Sequence, residues 1–380
     1  MSGIANAKRG DVMGRKAKAA ICRQNNVPVV VETIEVDSPR RDEVMIKLGA
    51  CGVCHSDLSA VNGTIGMPLP LILGHEGAGT VVEVGEGVTE LAVGDTVISS
   101  FVNMCGKCRY CVTGRPHLCD VGAKAVISLP DGSLRTRDAA GKPLNIFSAC
   151  GVMAEYATLH VNNVVKIAPG MPLAQAALIS CGVMTGVGAV FNTARVEPGA
   201  SVLVIGAGGV GLNVIQGCAI AGAGIIVAVD MADNKLELAK RFGATHTINA
   251  GKEENLVKTV KKLTGGGADY AFECIGLGKM VEQAFRALRK GGTALVVGVA
   301  RGDDNTALKT ASITFEEKTL TGSYYGSARP REDFPRLIAL YQAKKLKLDE
   351  LITRTYSIDE APQAFADLEA GKNARGVIVF

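Results

Sequence analysis

The sequence lacks the features that mark a nucleic-acid-binding or membrane-bound protein. Its 380 residues carry 41 basic and 37 acidic side chains, with a formal net charge of +4, and no basic stripe that would attract nucleic acid or an anionic membrane. No apolar run is predicted to reach the roughly 20 residues of a membrane span, and no secretory signal follows the basic N-terminus. We therefore expect a cytoplasmic protein whose partner is a small molecule.

The sequence also lacks the even number of cysteines that complete pairing in disulfides within one chain would require. Eleven cysteines cannot all pair within one chain, and their close spacings favour metal ligation in a reducing compartment over disulfides. The tightest stretch reads Cys105-x2-Cys108-x2-Cys111-x7-Cys119. Four thiolates so spaced can surround one tetrahedral zinc and leave no position for a substrate. We predict a structural zinc lobe over about residues 103–120.

A second set of metal ligands is scattered along the chain. Cys54 stands in the segment Gly-Val-Cys-His-Ser-Asp, His75 in Gly-His-Glu-Gly-Ala-Gly, and Cys181 before a predicted Gly-x-x-x-Gly turn. Two cysteines and one histidine leave the fourth position of a tetrahedral zinc open, so that a substrate can bind there. These residues predict a second, catalytic zinc.

The length predicts roughly two or three domains, and the pattern favours two. Residues up to about 16 lack periodicity and are expected to form an extension. Short β-branched runs over 17–170 predict a barrel-like antiparallel domain, and the long polar connection at 120–148 predicts a lid or pocket wall. Past residue 199, strands alternate with helices, which predicts a parallel, doubly wound sheet. The tail after residue 322 is predicted to return to the first domain.

A dinucleotide fingerprint opens the alternating region. It consists of Gly206, Gly208, Gly209 and Gly211 after a predicted strand, where the glycines allow a tight turn and the helix N-terminus can hold a pyrophosphate. Asp230 ends the next strand and can bind the adenosine ribose. Its carboxylate would repel a 2′-phosphate, and the next two residues supply no arginine, so NAD is favoured over NADP. Glycines that merely pack a helix on a strand are the alternative.

With these residues in place, the chain from about residue 17 onward resembles the zinc-dependent medium-chain alcohol dehydrogenases, for which the Cys2His zinc site is a standard example. The matching motifs are Gly52-Val53-Cys54-His55-Ser56-Asp57, Gly74-His75-Glu76-Gly77-Ala78-Gly79, the four-cysteine lobe, Ser180-Cys181-Gly182 and the nucleotide turn. The resemblance implies an α/β protein with a GroES-like β-rich catalytic domain (1–182 and 325–380) and a Rossmann NAD-binding domain with a doubly wound parallel sheet (183–324).

The resemblance also implies roles for single residues. Ser56 takes the alcohol proton, with capping of the following helix as the alternative, and Asp57 orients His75. Glu76 lies behind the metal, where it either exchanges with the metal-bound water or is a buried structural carboxylate. The implied cofactor contacts are His55 and Arg375 with the pyrophosphate, Thr185 with the nicotinamide, Lys235 with the ribose, and the Val299 backbone with the carboxamide. A homodimer or homotetramer, paired through an edge strand of the coenzyme sheet, is implied as well.

The substrate is expected to be a primary aliphatic or aryl alcohol, because Phe101, Phe147 and Ile65 match positions that line an apolar channel in the family. Ser59 stands where many members have a histidine that passes the proton to solvent. One rival is a dehydrogenase for thiol adducts of formaldehyde, although the acidic and basic residues that grip glutathione are replaced by Ile65 and Ala123. Another is an NAD-binding zinc protein without catalysis.

Overall fold

The N-terminal half of the protein is built from short strands. The computed structural model describes residues 14–380. Most of the predicted extension lies outside the described residues, but Arg15 and Lys16 belong to the first strand, where they pair with Val36 and Glu35. The strands are β1 (Arg15–Cys22), β2 (Val30–Val36), β3 (Glu43–Val53), β4 (Leu71–Ile72), β5 (Gly77–Val84), β6 (Thr96–Ser99), β7 (Thr136–Arg137), β8 (Asn145–Ile146), β9 (Tyr156–His160) and β10 (Val164–Lys166).

These strands form two sheets with mostly antiparallel pairing, as the sequence predicted for this region. One sheet has the order β7-β2-β1-β4-β8. In the other, β10, β6, β5 and β3 follow one another, and β9 also pairs with β3. Two short helices are inserted, α1 (His55–Val61) directly after β3 and α2 (Arg109–Val112) in the cysteine lobe. The sheets therefore leave the metal-ligand motifs at strand ends and in connections.

The polar connection at 120–148 does not form a lid, although Phe147, near its end, lies beside the ring of His75, where a pocket wall was the other prediction. Two of its segments are strands, β7 paired with β2 and β8 paired with β4. Leu129, Leu144 and Arg135 are buried, and the Arg135 guanidinium binds the buried Glu43 carboxylate at 2.6 Å and 2.8 Å. Polar composition misled the prediction here, because the charge of Arg135 is neutralised inside the protein.

A helix of 22 residues, α3 (Leu173–Ala194), links the two regions. The prediction that no apolar run reaches the length of a membrane span was wrong: α3 is long and apolar enough by composition, with a mean hydropathy of 1.7. Its most apolar window is 83% buried inside the protein, as expected for a core helix. Cys181 lies in a π-helical turn of α3 (Ile179–Val183), so the turn predicted after it is also absent.

The second region is a six-stranded parallel sheet of order β13-β12-β11-β14-β15-β16, which confirms the doubly wound prediction. Its strands are β11 (Ser201–Ile205), β12 (Ile225–Asp230), β13 (His246–Asn249), β14 (Ala268–Glu273), β15 (Leu288–Val296) and β16 (Thr319–Gly322). The helices between them are α4 (Gly209–Ile220), α5 (Asp233–Arg241), α6 (Leu256–Leu263), α7 (Gly278–Ala287) and α8 (Thr310–Glu316).

The C-terminal tail returns to the first region, as predicted. It contains α9 (Pro330–Gln342), β17 (Ile352–Tyr356), α10 (Ala361–Glu369) and β18 (Arg375–Val379). Strand β18 pairs antiparallel with β3, with Val53 opposite Gly376. This pairing brings Arg375, at the start of β18, to the end of β3 that precedes Cys54.

One apolar core joins the two regions through α3. The cluster contains Ile98 and Val165 of the first region, Leu178 and Val183 of α3, and Val202 of the parallel sheet. Burial of apolar surface contributes about 25 cal/mol per Å2, so this shared core stabilises the packing of both regions against α3.

Candidate metal centre and nucleotide crevice

Three segments bring the scattered ligands together at the boundary of the two regions. Cys54 lies between β3 and α1, His75 lies between β4 and β5, and Cys181 lies in the π-helical turn of α3. One ligand atom from each of Cys54, His75 and Cys181, together with one from Glu76, all lie within 4.8 Å of one another. All four residues are buried. Functional sites often contain such π turns, which shift a side chain out of the regular helical register.

The donor chemistry of this cluster fits zinc. Sulfur and imidazole nitrogen are the ligands that zinc prefers, and they bind it as thiolate and neutral imidazole. A hydrogen bond from the Cys181 thiol, with the nearby His75, holds the pKa of Cys54 well below its ordinary value. This low pKa favours the thiolate form of Cys54, and Glu76 supplies the fourth donor atom, an oxygen.

His75 is oriented by Asp57. Its Nδ1 lies 3.3 Å from Asp57 Oδ2, which leaves Nε2 for the metal. Burial opposes protonation of His75, but the negative charges of Asp57 and Cys54 outweigh it and raise its pKa. The other oxygen of Asp57 accepts the N–H of Gly74 at 2.8 Å, so this side of the carboxylate is fixed by the backbone.

Glu76 and Arg375 form a buried ion pair behind the cluster. The guanidinium of Arg375 donates to Glu76 Oε2, and the side chains are 5% and 0% exposed. Burial raises the pKa of Glu76, although the charge of Arg375 opposes this. Arg375 also lies against the nucleotide turn, because a Cβ placed at Gly209 would be 2.6 Å from its Cδ. The pair thus connects the metal cluster with the start of α4.

Aromatic rings surround His75. The rings of Phe101 and Phe147 meet it edge to face, with centroids 5.6 Å and 5.4 Å away. Phe101 also contacts Tyr325 at 3.9 Å and lies 6.2 Å from Tyr324, which is 56% exposed. Ile65 is half-buried in the segment after α1. The two predicted phenylalanines therefore lie at the cluster, in an apolar setting.

The four cysteines of the lobe converge as predicted from their spacing. The Sγ atoms of Cys105, Cys108, Cys111 and Cys119 all lie within 4.8 Å of one another. The N–H of Cys108 donates to Cys105 Sγ at 3.3 Å, and the N–H of Cys105 to Cys119 Sγ at 3.4 Å. The backbone N–H groups of Cys111 and Asp120 lower the pKa of Cys108 to about 6. This is a closed tetrahedral thiolate site in its chemistry.

The glycine fingerprint forms a tight turn between β11 and α4. A Cβ at Gly211 would lie 1.8 Å from the carbonyl oxygen of Gly206, so a side chain there has no room. Asp230, at the end of β12, accepts the N–H of Ala207 at 2.9 Å and of Ala232 at 3.1 Å. The turn and the carboxylate lie at the carboxyl ends of neighbouring parallel strands, where open α/β sheets bind ligands.

Comparison with known proteins identifies this architecture. Residues 40–169 match the alcohol dehydrogenase GroES-like domain, and residues 209–343 match the zinc-binding dehydrogenase family. An NDMA-dependent alcohol dehydrogenase of Amycolatopsis methanolica is 41% identical over 368 residues, which cover 96% of this chain and 99% of that protein. The chain belongs to the zinc-dependent medium-chain alcohol dehydrogenase family. It is therefore a zinc-type alcohol dehydrogenase, as its motifs suggested.

Solved structures agree with this assignment. An alcohol dehydrogenase zinc-binding domain protein from Burkholderia ambifaria superposes with a TM-score of 0.93 at 35% identity, covering 96% of this chain and 99% of that chain. Benzyl alcohol dehydrogenase from Acinetobacter calcoaceticus superposes with a TM-score of 0.89 at 34% identity, with the same coverage. The predicted combination of a GroES-like domain and a Rossmann-like domain is thus confirmed.

The remaining predicted residues of this dehydrogenase differ in their burial. Ser56 Oγ lies 3.8 Å from Cys54 Sγ in the first turn of α1, and Thr185 is half-buried on α3, one turn after Cys181. Lys235 is half-buried in the first turn of α5, and Val299 is 67% exposed beyond β15. Burial lowers the pKa of His55, next to Cys54.

Sequence reasoning missed two serines that fix the dehydrogenase's metal cluster. Ser180 Oγ donates to the carbonyl of His75 at 2.9 Å, and Ser99 Oγ accepts the N–H of Gly77 at 2.8 Å. The two hydroxyls are 3.2 Å apart. Ser180 could have been noticed as the neighbour of Cys181, whereas Ser99 carries no signal in the sequence. Tyr324 and Tyr325 were also missed.

Proposed function

We propose that this dehydrogenase oxidises primary alcohols, aliphatic or aryl, reversibly to aldehydes with NAD as the hydride acceptor. Cys54, His75 and Cys181 would hold a zinc ion, which would supply a Lewis acid for the alcohol oxygen, and NAD would supply the redox chemistry. The observation that carries the proposal is the cluster of three zinc-type ligands and Glu76 within 4.8 Å, which Arg375 connects with the nucleotide turn. A second zinc in the cysteine lobe is proposed as structural.

The chain's own residues hold and orient the metal ligand His75 and accept the proton of the alcohol. Asp57 fixes His75, while Ser99 and Ser180 fix the backbone at His75. Ser56, beside Cys54, is placed to accept the alcohol proton. From there we propose that the proton leaves through Ser59 and water, because α1 presents both serines. Phe101 and Phe147 exclude water from the reacting atoms.

NAD is proposed in place of NADP because of Asp230. Its two oxygens are held by backbone N–H groups of the turn and of the residues after β12, so the carboxylate cannot turn away from the ribose site. A fixed negative charge at that place opposes a 2′-phosphate. The proposed contacts of His55, Thr185, Lys235, Val299 and Arg375 with the cofactor complete the site.

The name of the Amycolatopsis relative supports turnover with a second electron acceptor. That protein is NDMA-dependent, so we include turnover with NDMA as the electron acceptor, in which the nucleotide need not leave after each cycle. The name of the Acinetobacter neighbour, benzyl alcohol dehydrogenase, supports aryl alcohols as substrates.

We further propose domain bounds of 1–182, 183–324 and 325–380, a cytoplasmic location without membrane or nucleic-acid partners, and a homodimer or homotetramer. Strand β16 is an edge strand of the parallel sheet, and Phe315 on the preceding helix is 83% exposed. An edge with exposed apolar residues is suited to pairing with a second copy.

The test is oxidation of a panel of aliphatic, benzylic and terpenoid alcohols with NAD alone, NADP alone and NDMA alone, with zinc counted in the same preparation. We expect NADH formation with primary alcohols and two zinc ions per subunit. Turnover of formaldehyde only with a thiol would favour the thiol-adduct rival. One zinc and no turnover in any arm would favour a non-catalytic protein.

A further inference from the structure

Tyr325 is a buried phenol that no step above uses. It is 2% exposed, and its hydroxyl donates a hydrogen bond to the backbone carbonyl of Ser180. Burial raises the pKa of Tyr325 well above its ordinary value, so the hydroxyl keeps the proton that it donates. Because Tyr325 follows β16, a side chain from the end of the parallel sheet reaches the π-helical turn of α3 in which Cys181 lies.

The carbonyl of Ser180 and the N–H of Cys181 belong to one planar peptide unit. A rotation of that carbonyl therefore turns the N–Cα bond of Cys181, and with it the direction of the thiol. The hydroxyl of Ser180 is held separately, since it donates to the carbonyls of Ser99 at 2.6 Å and of His75 at 2.9 Å. These bonds fix the side chain of Ser180, whereas Tyr325 fixes the peptide plane that leads to Cys181.

The ring of Tyr325 reaches a second ligand of the cluster. Its centroid lies 3.9 Å from that of Phe101, and the ring of Phe101 in turn meets His75 edge to face at 5.6 Å. One side chain is therefore in contact both with the peptide before Cys181 and with a ring that packs on His75. A change in its position would affect two of the three zinc-type ligands.

The backbone around Tyr325 has a conformation that needs support. Tyr325, Gly326 and Ser327 all have positive φ angles, of 56°, 64° and 50°, and this left-handed conformation is unfavourable for the two residues that carry a side chain. The turn packs on α3, where a Cβ at Gly326 would overlap the carbonyl oxygen of Met184. The hydroxyls of Thr193, on α3, and Ser327 are 2.8 Å apart. Unfavourable backbone that tertiary contacts hold in place is typical of functional sites.

We propose that Tyr325 is a positioning residue of the metal cluster, because its hydroxyl fixes the peptide plane before Cys181 and its ring supports Phe101 beside His75. The inference rests on the proposed zinc at this cluster. Tyr325 is not itself a ligand, since its hydroxyl is bonded to the carbonyl of Ser180. It acts through Ser180 and Phe101.

The test removes the hydroxyl alone. In Tyr325→Phe the ring keeps its place against Phe101, and Gly182 keeps its bond to Glu76, so the turn itself should persist. The buried carbonyl of Ser180 loses its donor, and a buried acceptor without a partner is costly. We expect zinc affinity at the cluster, measured by competition with a chelator, to fall about tenfold, while zinc in the cysteine lobe is unchanged.

Cobalt(II) gives a readout of ligand geometry that a loss of stability alone would not move. Zinc is replaced by cobalt, and the visible bands that respond to added imidazole are assigned to the cluster, because a closed four-cysteine site has no position for a further ligand. These bands should shift in Tyr325→Phe. Tyr341→Phe is the matched control, since the Tyr341 hydroxyl donates to Asp349 at 3.0 Å on the protein surface. It should keep the wild-type bands and zinc affinity.

Two tyrosine analogues separate the hydrogen bond from the volume of the hydroxyl. The analogue para-aminophenylalanine at position 325 retains a donor and should restore the wild-type bands. The analogue para-fluorophenylalanine fills the same space without a donor and should shift the bands as Tyr325→Phe does; it also makes the test if Tyr325→Phe does not fold.

Unchanged cobalt bands in the variants without a donor, or equal loss of zinc from both sites, would overturn the inference. A wild-type protein that binds no metal at the cluster would contradict the proposed function itself, and this inference with it.

Discussion

The Oδ2 atom of Asp57 lies 3.3 Å from Nδ1 of His75, and the two side chains are 0% and 3% exposed. Such a carboxylate fixes the ring orientation and raises the basicity of a histidine that ligates a metal. Asp57 is held in turn by the N–H of Gly74. The orientation of His75 therefore depends on a buried carboxylate that the backbone holds through one of its two oxygens.

Replacement of Asp57 by Asn should impair the metal site without unfolding the protein. We expect zinc affinity and kcat/KM to fall by about 10- to 100-fold, the usual effect of losing a partner of a metal-bound histidine. Zinc competition with a chelator and steady-state kinetics check this. Asp359→Asn, at an exposed ion pair with Lys18, is the control. Wild-type zinc affinity in Asp57→Asn would contradict the assigned role.

Replacement of Cys111 by Ser should remove zinc from the lobe only. The cysteine lobe closes on itself, so loss of its metal should lower the Tm by about 5 °C or more, while the zinc held by Cys54 remains. Zinc analysis and thermal melting check this. Lys107→Ala, on an exposed residue inside the lobe, should behave as wild type. A Cys111→Ser protein with two zinc ions would show that the lobe is not a metal site.

Replacement of Asp230 by Asn should lower the ratio of kcat/KM with NAD to kcat/KM with NADP. The amide loses the charge that binds the ribose and repels a 2′-phosphate, so kcat/KM with NAD should fall about tenfold while that with NADP falls less or rises. Kinetics with both nucleotides check this. Asp233→Asn, three residues later and paired with exposed Lys252, should keep the wild-type ratio, and an unchanged ratio in Asp230→Asn would refute the prediction.

Stability at acid pH should depend on Asp367. Lys372, Tyr356 and Gln363 donate to its carboxylate and hold its pKa at about 2, below the value of about 3.9 for an unfolded chain. Its contribution is therefore present above about pH 4 and is lost as the pH falls toward 2. Asp367→Asn should melt below wild type at neutral pH, and the difference should shrink between about pH 4 and pH 2. A constant difference in melting temperature over that range would be evidence against this account.

The sequence was most informative where the ligands lie close together along the chain. The four lobe cysteines span 15 residues, so their spacing alone predicted convergence. Cys54, His75 and Cys181 are up to 127 residues apart, and only their flanking motifs pointed to one site. The glycine fingerprint and Asp230 were predictable because both follow strands of alternating βα units.

Other parts were not predictable because tertiary contacts decide them. The role of Ser99 at the metal cluster depends on the contact between the end of β6 and α3. The role of Tyr325 depends on the packing of its ring against Phe101. The π-helical turn that presents Cys181 has no sequence signature, and the charged Arg135 was buried only because Glu43 neutralises it.

The most direct measurement is to replace Cys54 by Ala and to count zinc and follow NADH formation in the same preparation. The account predicts that one of two zinc ions per subunit is lost, that alcohol-dependent turnover is abolished, and that the melting temperature stays near that of the wild type. A Cys54→Ala protein that keeps two zinc ions and reduces NAD at the parental rate would contradict it.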